Sequence, residues 1–377
     1  HNVMTCLKHY AVNNIENSRF FVDVKADART MHEVYLPHFK RGVDAGAASL
    51  MGAYNLYNGD QACESEWLLT EVLREAWGFE GFTISDFLYG VRDTKKAIEA
   101  GLDIEMPMPI HYNRHLLNTV ENGEIDEAVI DAAVLRVLRT QLVFEYSPDP
   151  IEYTPDLVAH PDHIALAQEA AEKSMVMIKN EGNILPFEKG VKRVLMLGKL
   201  AAEENTGDHG SSRIFAPHVI TPLEGVRSYF GDAVEVIHLD ESAIEQEKLL
   251  APQVDCVIIV AGNDFKDEGE AISPGGMEEF IKPILEGYRN MGMPLRAQLM
   301  KLGTKLQAGQ FTGDDGGFVG GDRESLSLKA EEVAMIKAVA GLNPNTVVTL
   351  ICGSMIMIDD WAEKIPALIY GWYCGMQ

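Results

Sequence analysis

Asp86 stands just past a short apolar run, in Gly78-Phe79-Glu80-Gly81-Phe82-Thr83-Ile84-Ser85-Asp86-Phe87. A carboxylate at the end of a strand is costly to hold unless it is solvated, paired or used. It can cap the helix that follows, or, held ionised and positioned, it can grip a ligand or act as a nucleophile. Three other apolar runs end in the same way, at Lys8-His9, at Tyr54-Asn55, and at Asp103 with Met106. Lys8 and His9 are donors whose positive charge would keep Asp86 ionised and its pKa low.

A second set of groups follows the run Val257-Ile258-Ile259-Val260-Ala261-Gly262. It is the carboxylate-dense stretch Asn263-Asp264-Phe265-Lys266-Asp267-Glu268-Gly269-Glu270. A further loop, Gly207-Asp208-His209-Gly210-Ser211-Ser212-Arg213, offers Ser, Arg and His side chains suited to hydroxyl groups. Taken singly, both stretches read equally as solvated loops. No G-x-S-x-G elbow is present, and no His, Asp and Glu constellation has metal spacing. No carboxylate–His partner set accompanies His160 and His163, so the simpler reading is a helix entered through Pro161.

The elements that must position these groups alternate. Strands are expected at 3–7, 49–54, 82–85 and 101–106, with helices at 28–45, 66–77 and 93–100 between them. That order makes parallel β/α units, and four of them make half of an eight-fold barrel. Two amphipathic helices at 115–143 close this first domain, 1–145. A Pro-rich linker, 146–164, follows. From 165 to 377 a helix (165–179) precedes strands at 192–197, 233–239, 254–261, 346–352 and 365–370. Their near-continuous Val, Ile and Leu content implies an α/β/α sandwich with both sheet faces covered. An insertion at about 272–321 interrupts it, with a helical middle (277–306) and a Gly-rich tail (313–321). The tail does not follow a strand and open a helix, so it reads as a flexible loop rather than a phosphate cradle.

Composition narrows the partners. The 377 residues are 46% hydrophobic and 24% charged, with a net charge of −25. That charge argues against nucleic acid and anionic membrane surfaces, and no apolar run reaches 18 residues. The five cysteines form no C-x-x-C pair, and Cys6, Cys256 and Cys352 sit in apolar runs, which favours a reducing, cytoplasmic compartment. No signal peptide is visible, but the chain starts without Met, directly in a strand, and both ends look cut.

Together these stretches resemble the family 3 glycoside hydrolases over nearly the whole chain. Lys8-His9-Tyr10-Ala11-Val12-Asn13-Asn14 is similar to the family's K-H-(F/Y)-x-x-N-(N/E), with Arg19 where its sugar-binding Arg falls. Met51-Gly52-Ala53-Tyr54-Asn55-Leu56-Tyr57-Asn58-Gly59 resembles M-x-x-Y-N-x-x-N-G. Leu73-Arg74-Glu75-Ala76-Trp77-Gly78-Phe79 with Ser85-Asp86 resembles L-R-x-x-W-G-F…S-D-W, and Ala100-Gly101-Leu102-Asp103-Ile104-Glu105-Met106-Pro107 resembles A-G-x-D-x-x-M-P. Lys179-Asn180-Glu181…Leu185-Pro186 is similar to the entry of the second domain. Glu268-Gly269 and Asp322-Arg323-Glu324-Ser325-Leu326-Ser327-Leu328 resemble the E-G and D-R-x-x-L-x-L of the acid/base loop, here separated by the insertion.

The resemblance implies a retaining glycosidase without metal or organic cofactor, acting on a small β-linked glucoside, with xyloside or another neutral sugar as variants. Asp86 would be the nucleophile and Glu268 the acid/base, with Asp267 and Glu270 as rivals. The two roles need opposite tuning: Asp86 low through Lys8 and His9, Glu268 raised through its carboxylate neighbours. Lys8, His9, Arg19 and Tyr54 would hold sugar hydroxyls, and Met51, Phe87, Ser212 and Arg213 would complete the substrate-facing set. The expected partner is a small carbohydrate, with a homo-oligomer open.

Three departures stand out. Phe87 replaces a Trp, the insertion is not typical of every member, and the family barrel's earlier half, with a sugar-gripping Asp and Arg, is missing. Four strands cannot close a barrel, so an open arc with two unpaired edges, edge-to-edge association and little activity is expected. The alternatives are an N-acetylglucosaminidase of the same family, disfavoured because K-H-F-P-G-H-G is absent, and a non-catalytic sugar-binding fragment.

Overall fold

The computed structural model describes residues 3–148, 153–270 and 320–376. The expected helix 277–306 and most of the Gly-rich tail lie outside the described residues. The chain divides into two compact units, one built from 3–148 and the other from 153–270 and 320–376.

In the first unit the strands are β1 (Cys6–Tyr10), β2 (Asp23–Val24), β3 (Ser49–Gly52), β4 (Leu56–Tyr57), β5 (Asp60–Gln61) and β6 (Phe82–Ile84). β1, β3 and β6 form a parallel sheet in that order, with Leu50 opposite Thr83 and Met51 opposite Ile84. Every residue of β3 is buried, as expected of a central strand covered on both faces. Helices return the chain between strands: Pro37–Asp44 before β3 and Trp67–Ala76 before β6. The latter is wound with five-residue hydrogen bonds, such as Trp77 N–H to Val72 O at 3.1 Å. Helix Thr94–Ala100 starts on Asp93, whose carboxylate accepts from Lys96 N–H, and stops at Gly101, where φ is 104°.

Two expectations for this unit are corrected. β1 is shifted along the chain from the expected 3–7: Val3 and Met4 are exposed, and the strand carries Lys8 and His9 within it. The ladder outruns the apolar run because Tyr10 pairs with Gly52 and is fully buried, its hydroxyl donating to Leu68 O at 3.0 Å. The expected strand at 101–106 reduces to one bridge, Ile84 to Ile104. Asp103 is the reason. Its buried carboxylate takes the Thr83 N–H at 2.7 Å, a donor that a full ladder would use, and is held between Arg74 (2.8 Å) and Arg136 (2.6 Å).

In the second unit the strands are β7 (Val176–Asn180), β8 (Arg193–Leu197), β9 (Glu235–Leu239), β10 (Cys256–Gly262), β11 (Thr346–Ile351) and β12 (Ala367–Tyr370). Their order is β7-β12-β11-β10-β8-β9, all parallel except β7, which runs antiparallel to β12. Alternate residues enter two cores. Leu195, Leu197, Val257 and Ile259 meet Met335, Ile336 and Val339 of helix Ala330–Val339, whereas Val194, Met196, Cys256 and Val260 meet Leu200 and Leu223 on the opposite face. The sheet is therefore covered on both sides, which explains why its strands are almost wholly apolar.

The expected helix 165–179 is also corrected. The helix is Pro161–Ser174, and Val176–Asn180 forms β7. The β-branched residues after Ser174 pair with β12 across Lys179–Leu368, where strand pairing outweighs helical continuation. His160 caps this helix through Nδ1 and Pro161 takes its first position, while His163 Nδ1 lies 3.0 Å from Leu157 O. Among the described residues no cluster of His, Cys, Asp and Glu could hold a metal ion.

Candidate active site

Asp86 sits at the turn that leaves β6, only 6% exposed. The turn is fastened to the neighbouring segment: Ser85 N–H donates to Ile104 O, Met106 N–H to Ser85 Oγ, and Leu88 N–H to Met106 O. Asp86 Oδ1 accepts from Phe87 N–H at 2.8 Å, and Oδ2 lies 3.4 Å from His9 Nε2. A residue missed by sequence reasoning permits this packing. A Cβ on Gly90 would fall 2.7 Å from Asp86 O and 2.9 Å from its N, so a side chain there would displace the turn.

The expected tuning of Asp86 is overturned. Burial pushes its carboxyl up to about 6, outweighing the Phe87 amide, the Tyr54 hydroxyl and the charges of Arg19 and Lys8, all of which favour the ionised form. Of the two cations named from sequence, Lys8 acts in the expected direction, joined by Arg19, but desolvation wins because the carboxylate is walled off from water.

Tyr54 and Arg19 belong to the same cluster. Tyr54 OH donates to Phe87 O at 2.9 Å, and its ring lies 4.5 Å from that of Phe20. The Arg19 guanidinium sits 5.0 Å from the Phe20 ring and 5.2 Å from the Tyr54 ring, and pairs with Glu16 at 3.3 Å. Met51 is buried one strand over, facing Ile84, while Lys8 and Phe87 are exposed, Phe87 at 43%. The unit thus brings His9, Arg19, Tyr54 and Phe87 around Asp86, on the turns and strands of one parallel sheet.

In the second unit, the chain turns between β8 and β10: β9 lies on one side of this pair and β11 on the other. Ligands of open parallel sheets bind at such a reversal, past the carboxyl ends of the strands. The loop after β8 and the segment after β10 meet there. The His209 ring stacks on Phe265 at 3.7 Å, Asn205 Nδ2 donates to Asn263 O at 2.9 Å, and Asp208 Oδ1 accepts from Glu270 N–H at 2.8 Å.

Glu268 ends the short helix Phe265–Glu268, which Asp264 caps. Its oxygens meet groups from three adjacent strand ends: Asn263 Nδ2 (3.0 Å) after β10, Gly353 N–H (2.5 Å) after β11, and Tyr373 OH (2.6 Å) after β12. Arg323 Nε adds a charge at 3.4 Å. The carboxylate neighbours expected to surround Glu268 are replaced by donors. Its rivals are engaged elsewhere. Asp267 closes the helix cap and pairs with Lys329 at 2.8 Å, and Glu270 accepts from Ser211 N–H at 2.5 Å. Ser212 Oγ donates to Asp208 at 2.6 Å, and the Arg213 guanidinium lies over Phe215 at 4.8 Å, so both sit on the loop held beside Glu268. Sequence reasoning missed Asn263, Gly353 and Tyr373. The available signal was that each lies just past an apolar run, the same signal that marked Asp86.

The description "Glycosyl hydrolase family 3 N terminal domain" matches residues 1–140, and "Glycosyl hydrolase family 3 C-terminal domain" matches 175–377. Thermostable β-glucosidase B of Acetivibrio thermocellus is 28% identical over 386 residues, covering 99% of this chain and 44% of that protein. An exo-α-(1→6)-L-arabinopyranosidase of Bifidobacterium breve is 27% identical over 390 residues, covering 99% and 44%. The crystal structure of a Bifidobacterium adolescentis β-glucosidase superposes with a TM-score of 0.74 at 25% identity, covering 100% of this chain and 48% of that one. The chain spans less than half the length of these relatives. An α/β protein with a barrel-like N-terminal domain and a C-terminal sheet domain is the class defined here. The chain belongs to glycosyl hydrolase family 3.

Proposed function

We propose that the gene product carrying this chain is a retaining glycoside hydrolase that releases terminal β-linked sugars, a β-glucosidase in the first instance. The observation that carries the reading is the buried Asp86 carboxyl at a strand end, 3.4 Å from His9 and walled by Arg19 and Tyr54. In the first step Asp86 attacks the anomeric carbon while Glu268 protonates the departing oxygen. In the second, Glu268 takes a proton from water, whose oxygen displaces Asp86. A carboxyl raised to about 6 is still largely ionised at neutral pH, as a nucleophile must be. Lys8, His9, Arg19 and Tyr54 are assigned to sugar hydroxyls, with Met51, Phe87, Ser212 and Arg213 in supporting contact.

We further place residues 1–145 as the carboxyl-terminal half of a (β/α)8 barrel, 146–164 as linker and 165–377 as an α/β/α sandwich. Three parallel strands with a fourth segment bridged at Ile104 support the half barrel. The arabinopyranosidase among the relatives leaves a pentose in place of glucose as the second reading. Hydrolysis of nitrophenyl β-D-glucoside, β-D-xyloside and α-L-arabinopyranoside by the gene product, with the product anomer read by NMR, tests both. The expected result is turnover fastest on the glucoside with retained configuration, and inversion would reject the mechanism.

A further inference from the structure

Both oxygens of Glu268 are occupied. Oε1 accepts from Tyr373 OH at 2.6 Å and from Gly353 N–H at 2.5 Å, while Oε2 accepts from Asn263 Nδ2 at 3.0 Å and faces Arg323 Nε at 3.4 Å. The Gly353 amide and the Arg323 guanidinium can only donate, so they favour the carboxylate. The Tyr373 hydroxyl differs, because it can donate to a carboxylate or accept from a carboxylic acid. An acid/base residue passes through both states in each turnover.

We propose that Tyr373 is the positioning residue of Glu268, its hydroxyl orienting the carboxyl in both protonation states by reversing the sense of one hydrogen bond. The proposal rests on the reading of Glu268 as acid/base. No proton moves to or from Tyr373 in balance. The Glu268 proton that Tyr373 accepts in the acid turns to the glycosidic oxygen as the C–O bond breaks, the Tyr373 hydroxyl then donating to the carboxylate left behind, and a water proton returns to Glu268 as the water oxygen bonds the anomeric carbon. Burial and the Glu268 charge push the Tyr373 phenol above its ordinary range, so it keeps its own proton throughout.

Its surroundings fit this role. Tyr373 follows Trp372, whose ring lies 4.5 Å from that of Tyr370 and whose Nε1 donates to Ser174 O at 3.2 Å, so the segment after β12 is anchored. A Cβ on Gly353 would lie 3.2 Å from Glu268 Oε1 and 3.4 Å from Tyr373 Cε2, so a side chain there would press on the carboxyl and the phenol ring together. A purely structural role competes, because Tyr373 OH also lies 3.5 Å from Asn263 O.

The test is Tyr373→Phe in the gene product, assayed on aryl β-glucosides of graded leaving-group ability, beside Glu268→Ala and the double variant. Tyr373→Phe is expected to lower kcat/KM about ten- to a hundredfold for poor leaving groups and less than about threefold for a dinitrophenyl group. Added to Glu268→Ala, it is expected to change the rate less than about twofold, since the group it positions is gone. Equal losses across the series, or full additivity, would overturn the proposal. If Glu268→Ala shows no leaving-group dependence, the acid/base reading fails and the proposal with it. If Glu268→Ala shows it and Tyr373→Phe does not, the proposal alone fails. Should Tyr373→Phe fail to fold, 3-fluorotyrosine at 373 keeps the ring and alters the hydroxyl as a donor. A changed leaving-group slope then supports the role and an unchanged slope overturns it.

Discussion

At the scale of single residues, the governing competition is between charge and burial. Lys8 and His9 suggested a depressed Asp86 from their types and spacing, yet the group is raised to about 6. A one-dimensional reading sees which charges stand near a carboxylate but not how much water has been taken from it. The sign for function follows. A nucleophile must be ionised, so kcat/KM of the free enzyme is expected to rise with pH through an acid limb near 6. An acid limb below pH 4 would show that burial does not control the group. The sign for stability is opposite. Asp86 ionises at a cost in the folded state, so stability contributed by its protonated form is lost as pH rises from the unfolded value near 4 toward 6. Asp86→Asn is expected to abolish turnover and to raise the unfolding temperature at pH 7, read by calorimetry. Glu268 was separated from Asp267 and Glu270 by its partners. The expectation is therefore that Glu268→Ala, but neither Asp267→Ala nor Glu270→Ala, spares substrates with good leaving groups while damaging poor ones.

At the scale of elements, close approaches and strand order decide what sequence could reveal. The strand-end rule located Asp86, Tyr54 and the segment after β10 because each follows an apolar run. It could not assemble the partners of Glu268. Asn263, Gly353 and Tyr373 are up to 110 residues apart, and only the order β12-β11-β10 makes them neighbours. β7 was hidden because residues after the Ala-rich helix pair with a strand some 190 positions later in the chain. Gly90 was hidden because its need is a distance, not a pattern. Gly90→Ala is expected to disturb the Asp86 turn and lower kcat/KM at least about tenfold, while the second unit keeps its stability. An unchanged rate would show that the turn yields.

Helix Ile244–Leu250 supplies a second element-level test. Glu247 is fully buried and neither of its oxygens has a hydrogen-bond partner among the described residues. Burial, then the charges of Glu241 and Asp240, push it up to about 7 against the favourable charge of Lys248. Its raised folded value means stability falls as pH climbs from about 4.5 to 7. Glu247→Gln is expected to remove that fall, a gain of roughly 1–3 kcal/mol at pH 8 in denaturant unfolding. Parallel pH profiles for the two proteins would contradict it.

At the scale of the whole molecule, the alternation of strands and helices was legible in the hydrophobic pattern, since β3 of the first unit is buried throughout and the six-stranded sheet of the second carries apolar strands covered on two faces. The short fourth segment was not, because a buried Asp103 between Arg74 and Arg136 replaces ladder bonds with side-chain bonds. β1 pairs with β3 and with no other strand among the described residues. Its free side is a template for association. The 377-residue chain by itself is expected to self-associate in sedimentation experiments and to be weakly active, and a monomer with full glycosidase activity would contradict the half-barrel reading. The most direct test of the central claim is trapping with a 2-deoxy-2-fluoro-β-glucoside bearing a good leaving group, followed by peptide mass mapping of the gene product. Stoichiometric inactivation with the label on Asp86 is expected, and a label on any other carboxylate would contradict its role as nucleophile.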